Sequence, residues 1–177
     1  NGTPNIKIKR IWDQSKNLLT IEVIQSNPNK KNLTNGLPLI IPINAAIFLN
    51  KEEKIIRTFI LKEKKQRFTL ENISTNFEVP IVTYFRDFSA PVVWESDTNF
   101  NEKLLILEYE EDFFTIYDTI KGIYNHIISK RLAEKPDFYV ENKLIETLRS
   151  IIKNNKTINL SLLSEILNIP TFSEIES

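Results

Sequence analysis

The sequence contains no cysteine and no methionine, one histidine and three glycines. Without cysteine the chain cannot form a disulfide or use a thiolate as nucleophile or metal ligand, and we expect a cytoplasmic location. A zinc-peptidase motif of the His-Glu-x-x-His type needs two histidines one helical turn apart. That motif is therefore excluded within these residues. Three glycines are also too few to form a glycine-rich loop that binds phosphate.

Neither an excess of charge nor a long apolar run is present. Lysine plus arginine number 23 and aspartate plus glutamate number 23, so no net field attracts nucleic acid or an anionic membrane. No apolar run approaches the roughly 20 residues that cross a bilayer. We therefore expect neither nucleic acid nor membrane as a partner. The chain begins at Asn1 rather than Met, which suggests a piece of a longer protein.

The first half of the chain carries short segments in which apolar and polar residues alternate. Ile6 and Ile8 alternate with lysines and predict a half-buried strand over 5–10. Pro38 and Pro42 indicate an edge strand, or two short strands with a bend, within 37–49. A charged hairpin turn is expected at 62–65. The remaining strands of this region are predicted at 19–25, 55–61 and 66–71.

The stretch 80–94 predicts two β segments with a kink at 89–91. Pro91 fixes φ and lacks an N–H, which suits an edge or the start of a strand. About seven short strands separated by regular turn signals are typical of an immunoglobulin-like β-sandwich. We assign this sandwich to residues 1–96.

The second half, residues 97–177, shows helical periodicity after a polar boundary at 96–99. Apolar residues recur at i, i+3, i+4 and i+7 from Asp112 to Pro136, where a helix over 112–132 is expected. Asn159 can cap the last helix and Pro170 can end it. The fold class is thus mixed, all-β followed by all-α, and the other helices are expected at 102–110, 143–153 and 160–168.

Two polar groups could in principle carry chemistry. His126 would have to be the base of a serine-type triad, but its helical setting favours an ordinary, partly exposed histidine. Glu108, Glu110, Glu111 and Asp112 could hold a cation. A solvated helix face, with an N-cap for the next helix, is the simpler interpretation.

Two basic groups could contact phosphates or bases. The segment 62–67 is rich in lysine and arginine, but aromatic residues do not interleave with it and the net charge is zero. Lys7, Lys9, Arg10 and Trp12 resemble a stacking platform only weakly. The polar face of a strand, ending in a core or junction tryptophan, is the interpretation we prefer.

The stretch Arg86-x-Phe88-Ser89-Ala90-Pro91-Val92 resembles the Arg-x-Phe-Ser-Ala-Pro-Val signature in the β-sandwich domain of the aminopeptidase N family of zinc metallopeptidases. The chain departs from that pattern at Val82, where the family often has a second proline. It also departs at Ile116-Tyr117 and Lys121, where Arg-Trp and Gln are common. Weaker matches extend over nearly the whole chain: Gly2-Thr3-Pro4, Gln25 with Pro28, Pro38 with Ile41-Pro42, Gln66-x-Phe68, and 158–170.

The resemblance implies that the chain is the sandwich domain and the first helices of the helical domain of a longer aminopeptidase. The parent's one zinc ion and its substrate-binding motif would lie in a catalytic domain outside this sequence. No catalytic, cofactor-binding or metal-binding residue is therefore assigned here. The implied role is a non-catalytic spacer that positions the helical domain over the catalytic domain of an enzyme that removes N-terminal residues from peptides.

The implied partners are the parent's own catalytic and remaining helical domains, with a peptide as the substrate of the parent. Helices that lack their neighbours would also favour self-association. The alternative is a stand-alone β-sandwich interaction module with a helical tail, since sandwiches carry many functions. An enzyme in its own right is disfavoured because the required residue sets are missing.

Overall fold

The structure, a computed structural model, describes residues 3–26 and 37–154 together with positions 164, 167 and 168. The chain divides into two compact units, Asn1–Thr98 and Asn99–Ser177. The sequence expectations that lie outside the described residues are the matches at Gly2 and Pro28, most of the match at 158–170 and most of the helix at 160–168.

The first unit is a β-sandwich with seven strands among the described residues, which confirms the predicted fold class. The strands are β1 Asn5–Asp13, β2 Leu18–Ser26, β3 Ile41–Phe48, β4 Lys54–Leu61, β5 Lys65–Leu70, β6 Ile81–Thr83 and β7 Val93–Ser96. One sheet has the order β5-β2-β1-β7 and the other β4-β3-β6. Neighbouring strands are antiparallel except β1 and β7, which are parallel.

The four-stranded sheet is amphipathic, as its alternation predicts. Ile8 pairs with Val23 across β1 and β2, and both side chains are buried in the core. The opposite face carries ion pairs: Lys7 lies 2.7 Å from Glu95 on β7, and Glu22 accepts both Lys65 and Arg67 of β5. The period of two therefore separates an apolar layer from a charged one.

The prediction that Pro38 and Pro42 mark an edge strand is wrong, because β3 is the central strand of its sheet. Residues 37–40 precede the strand, so Pro38 lies outside it. Pro42 is tolerated inside because β6 pairs only with Ala46, Ile47 and Phe48. Among the described residues no strand lies beside Pro42 on the β6 side of β3, so the absent N–H breaks no ladder bond there.

Two connections also differ from expectation. The basic turn after β4 is not a hairpin, because β4 and β5 belong to different sheets and the turn crosses between them. The first β segment of 80–94 ends at Thr83, and nine residues, 84–92, lead to β7. Both differences depend on which strands pair, and local alternation does not specify that choice.

The second unit contains three described helices, α1 Phe100–Tyr109, α2 Phe113–Leu132 and α3 Phe138–Asn154. Asn99 begins α1 with a capping box to Glu102. The helix predicted at 143–153 begins five residues earlier, where the Asp137 carboxylate accepts the N–H of Val140. The helices share one apolar core, formed by Leu107, Ile116, Ile120, Ile123, Tyr124, Val140, Leu144 and Ile151.

Candidate functional site

The signature segment forms a tight turn with an unusual backbone. Phe85, Asp87 and Phe88 have φ angles of 56°, 54° and 50°. Left-handed conformations are uncommon for residues other than glycine and costly for bulky ones. Such a turn persists only when packing and hydrogen bonds with the rest of the sandwich hold it in place. The contacts of the residues in and beside the turn therefore show what this segment does for the fold.

Ser89 is the residue that fastens this turn to the sandwich. Its hydroxyl accepts the N–H of Asn44 at 3.1 Å and donates to the carbonyl of Pro42 at 3.2 Å. Ser89 thus replaces the missing strand partner of β3 beside Pro42. The signature serine therefore has an architectural role in the described structure, since both of its bonds go to a strand backbone.

Aromatic packing holds the other side of the turn. Tyr84 and Phe85 are each 1% exposed, and their ring centroids lie 6.0 and 5.6 Å from that of Trp94 on β7. Phe88, in contrast, is 56% exposed. The turn thus buries two aromatic side chains and presents a third at the surface.

Arg10 makes several polar contacts within the sandwich. Its side chain is 4% exposed, and its Nε lies 2.9 Å from Asp97 Oδ1 while its backbone N–H donates to Oδ2. The guanidinium also donates to the carbonyls of Pro80 and Asp97. We assigned Arg10 to the polar face, which is wrong. Position 10 has the same parity as Ile6 and Ile8, so strict alternation already indicates a buried side chain.

Gln25, one of the residues in the family resemblance, also has an architectural role. Its amide nitrogen donates to the carbonyls of Leu39 and Glu63, and its amide oxygen accepts the N–H of Leu39. These bonds tie the end of β2 to the segment before β3 and to the turn after β4. A buried amide with three partners stabilises the connections without offering a reactive group.

His126 does not belong to a catalytic constellation among the described residues. It is exposed on α2, and its Nε2 lies 3.9 Å from Asp137 Oδ2. Within residues 3–26 and 37–154, no cluster of three or more His, Cys, Asp or Glu side chains could hold a metal ion. The described part of the chain therefore does not fit the zinc ion that the resemblance implies for the parent.

The carboxylate run at 108–112 contains the predicted N-cap, but it is not solvated throughout. Asp112 caps α2, since its carboxylate accepts both the N–H and the hydroxyl of Thr115, as expected. The expected solvation is wrong for Glu110 and Asp112, which are 6% and 8% exposed. Glu110 accepts the backbone N–H groups of Glu111 and Asp112. These carboxylates are occupied in capping and turn formation.

Two side chains of the basic segment 62–67 face an acidic partner. Lys65 and Arg67 bind Glu22 at 3.0 and 2.8 Å, and these contacts lower the pKa of Glu22 below its ordinary value, the hydrogen bond from Arg67 being the largest cause. Trp12 is half-buried at the end of β1 rather than displayed for stacking. No described helix is both long and apolar enough to cross a membrane.

Comparison with known proteins identifies the family of the sandwich. Residues 2–97 match the family model described as a domain of unknown function, DUF3458, with an Ig-like fold. The match covers more than half of the chain. The chain belongs to the DUF3458 Ig-like family.

Two comparisons extend the match of this DUF3458 member into its helices. The first confirms the resemblance to the aminopeptidase N family, and the second shows the shared fold. Aminopeptidase N of Haemophilus influenzae is 22% identical over 181 residues, covering 96% of this chain and 20% of that protein. The crystal structure of Legionella pneumophila aminopeptidase A in complex with aspartic acid has a TM-score of 0.81 at 18% identity. It covers 99% of this chain and 19% of its own. The chain thus spans about a fifth of the length of these relatives.

Proposed function

We propose that this chain is a non-catalytic part of a zinc-dependent aminopeptidase that removes N-terminal residues from peptides. Its sandwich and first helices act as the spacer that positions the remaining helical domain over the catalytic domain. The observation that carries the proposal is the match to Haemophilus aminopeptidase N over 96% of the chain. A cytoplasmic location, based on the absence of cysteine, belongs to the same proposal.

The contacts of the described residues support an architectural role. The signature serine bonds to the backbone of β3, and Gln25 and Arg10 bond to neighbouring segments of the sandwich. The partners in the proposal are the parent's own catalytic and helical domains, and the substrate of the parent is a peptide.

The test of this proposal uses the longer reading frame that encodes the chain. We expect a His-Glu-x-x-His pattern upstream of Asn1. We also expect the purified product to contain one zinc ion and to hydrolyse alanine p-nitroanilide. The 177-residue chain alone should bind no stoichiometric zinc and should not cleave this substrate, because an N/S-ligand site needs at least two histidines or cysteines and this chain has one histidine and no cysteine.

Two results would contradict the proposal. One is a longer product without the motif and without turnover, which would favour the stand-alone interaction module. The other is one tightly held zinc ion per 177-residue chain, found by metal analysis after dialysis against a weak chelator.

A further inference from the structure

Four of the described strands lie at the edges of the two sheets, and β4, with eight residues, is the longest of them. The edge strands β6 and β7 have three and four residues, and β5 carries the exposed charges of Lys65 and Arg67. Shortness and charge both discourage an edge from pairing with another chain. On β4, in contrast, Ile56 and Ile60 are 47% and 38% exposed. Such an edge tends to pair with other chains unless something covers it.

The hydrogen-bond pattern shows which backbone groups of β4 face away from its neighbour β3. The N–H of Leu49 donates to the carbonyl of Glu53, in register with the two strands, so this pair is a hydrogen-bonded one. Hydrogen-bonded pairs alternate with other pairs along an antiparallel ladder. The N–H and C=O groups of Ile56, Thr58 and Ile60 therefore point to the outer side of β4, where no described strand pairs.

The side chain of Gln66 occupies one end of this outer edge. Its Oε1 accepts the N–H of Lys62 at 2.8 Å, and its Nε2 donates to the carbonyl of Ile60 at 3.4 Å. A residue of a neighbouring strand bonds in the same way, to the N–H of one residue and the carbonyl two residues before it. The carboxamide of Gln66 thus takes the place that the backbone of an added strand would need.

Arg57 covers the middle of the same edge. Its Nη1 donates to the carbonyl of Ile56 at 3.0 Å, and it carries the one charge in the run 55–61. An arriving strand would have to displace the guanidinium from that carbonyl, and desolvating a charge is costly. The stretch between the two bonded carbonyls is centred on Thr58 and is shorter than the roughly five residues of an ordinary strand.

We propose that the side chains of Arg57 and Gln66 keep β4 from pairing with a second copy of this chain. Without them, two β4 strands can pair antiparallel about Thr58, which places Ile56 of one copy opposite Ile60 of the other. Cross-strand apolar pairs of this kind stabilise a sheet, and here both isoleucines are exposed in the single chain. This inference does not rest on the proposed function.

The test follows the exchange of backbone amide hydrogens with solvent while the concentration of the 177-residue chain is raised. In the parent sequence we expect fast exchange at Ile56, Thr58 and Ile60 at every concentration. In the double variant Arg57→Thr with Gln66→Thr, exchange at these three amides should slow by at least about tenfold at high concentration, because strand pairing protects them. The measurement reports on β4 itself, so association through another surface does not produce this result.

Two further variants complete the experiment. Lys64→Thr is the matched control, because it removes one positive charge from the exposed turn after β4 and leaves both side chains of the proposal in place. It should exchange as the parent sequence does. Arg57→Thr alone changes an exposed side chain outside the turn and should slow exchange in the same direction by a smaller factor. This single variant keeps the test valid should Gln66→Thr prevent folding.

Three outcomes would overturn the proposal. Fast exchange at every concentration in the folded Arg57 and Gln66 variants would show that these side chains do not block the edge. An equal slowing in Lys64→Thr would assign the effect to the loss of charge. Slowing with concentration in the parent sequence would show that β4 pairs with a second copy even when both side chains are present.

Discussion

At the scale of single residues, β1 carries two ion pairs in contrasting environments. Arg10 and Asp97 form a pair in which the arginine side chain is 4% exposed, whereas Lys7 and Glu95 are 70% and 66% exposed. Burial removes competing water from the first pair and leaves the second well solvated. The exposed pair on β1 can therefore serve as the matched control when the strength of the buried pair is tested.

Asp97→Ala should destabilise the sandwich by about 2–4 kcal/mol, because it leaves the buried guanidinium of Arg10 without its carboxylate. Glu95→Ala should cost about 1 kcal/mol or less, as expected for an exposed pair. Urea denaturation followed by tryptophan fluorescence measures both. Equal losses in the two variants would show that burial does not decide the strength of the Arg10 contact.

Glu22 predicts a pH dependence. Its folded-state pKa is lowered by the hydrogen bonds from Arg67 and Lys65, so its contribution to stability is present above the unfolded pKa. That contribution is lost as the pH falls through the folded-state pKa. Glu22→Gln should therefore be less stable than the parent sequence at neutral pH, and this difference should shrink in acid.

The free energy of unfolding is measured by urea denaturation at a series of pH values from neutral to acidic. Glu52→Gln, an exposed glutamate in the turn before β4, is the control and should show a pH dependence close to that of the parent sequence. A gap between Glu22→Gln and the parent that stays constant with pH would contradict the assignment of the lowered pKa.

At the scale of elements, the N-caps of α1 and α2 lie where the sequence places short polar residues before a helical period. Asn99 and Asp112 each accept a backbone N–H of the first turn, as short polar side chains do at an N-cap. Strand neighbours agree less well. Pro42 lies in a central strand, and β7 runs parallel to β1, because such pairings depend on segments far apart in sequence.

Asp112→Ala should destabilise the helical unit by about 1–2 kcal/mol, because it removes the acceptor of two groups of Thr115 at the start of α2. Glu111→Ala, at the adjacent exposed position, should change stability by less than about 0.5 kcal/mol. Thermal melts followed by far-ultraviolet circular dichroism test this. Comparable losses of stability in both variants would show that negative charge near the start of α2, rather than the hydrogen bonds to Thr115, causes the effect.

At the scale of the whole molecule, α3 leaves a stripe of apolar side chains at the surface. Phe138, Ile145 and Ile152 recur every seven residues and are 61%, 45% and 51% exposed. A seven-residue spacing places them along one side of the helix. Such a stripe is the kind of surface that pairs with another helix.

We predict that the isolated chain self-associates through this stripe. Ile145→Lys combined with Ile152→Lys should reduce the weight-average mass in sedimentation experiments at high concentration. Ile11→Lys combined with Ile24→Lys, on the charged face of the sandwich sheet, should leave association unchanged. A monomer at every concentration, or equal effects of both double variants, would contradict the prediction.

Much of this protein is determined by the sequence itself. The period of two produces strands around Ile8 and Val23, the helical period produces α2, and the signature at 86–92 identifies the family, because these signals are local. The tertiary structure alone decided that β3 is central, that Arg10 and Asp97 meet, and that Phe85, Asp87 and Phe88 adopt left-handed backbone conformations. These features arise from contacts between distant segments, whose free energy exceeds local preference and appears in no local pattern.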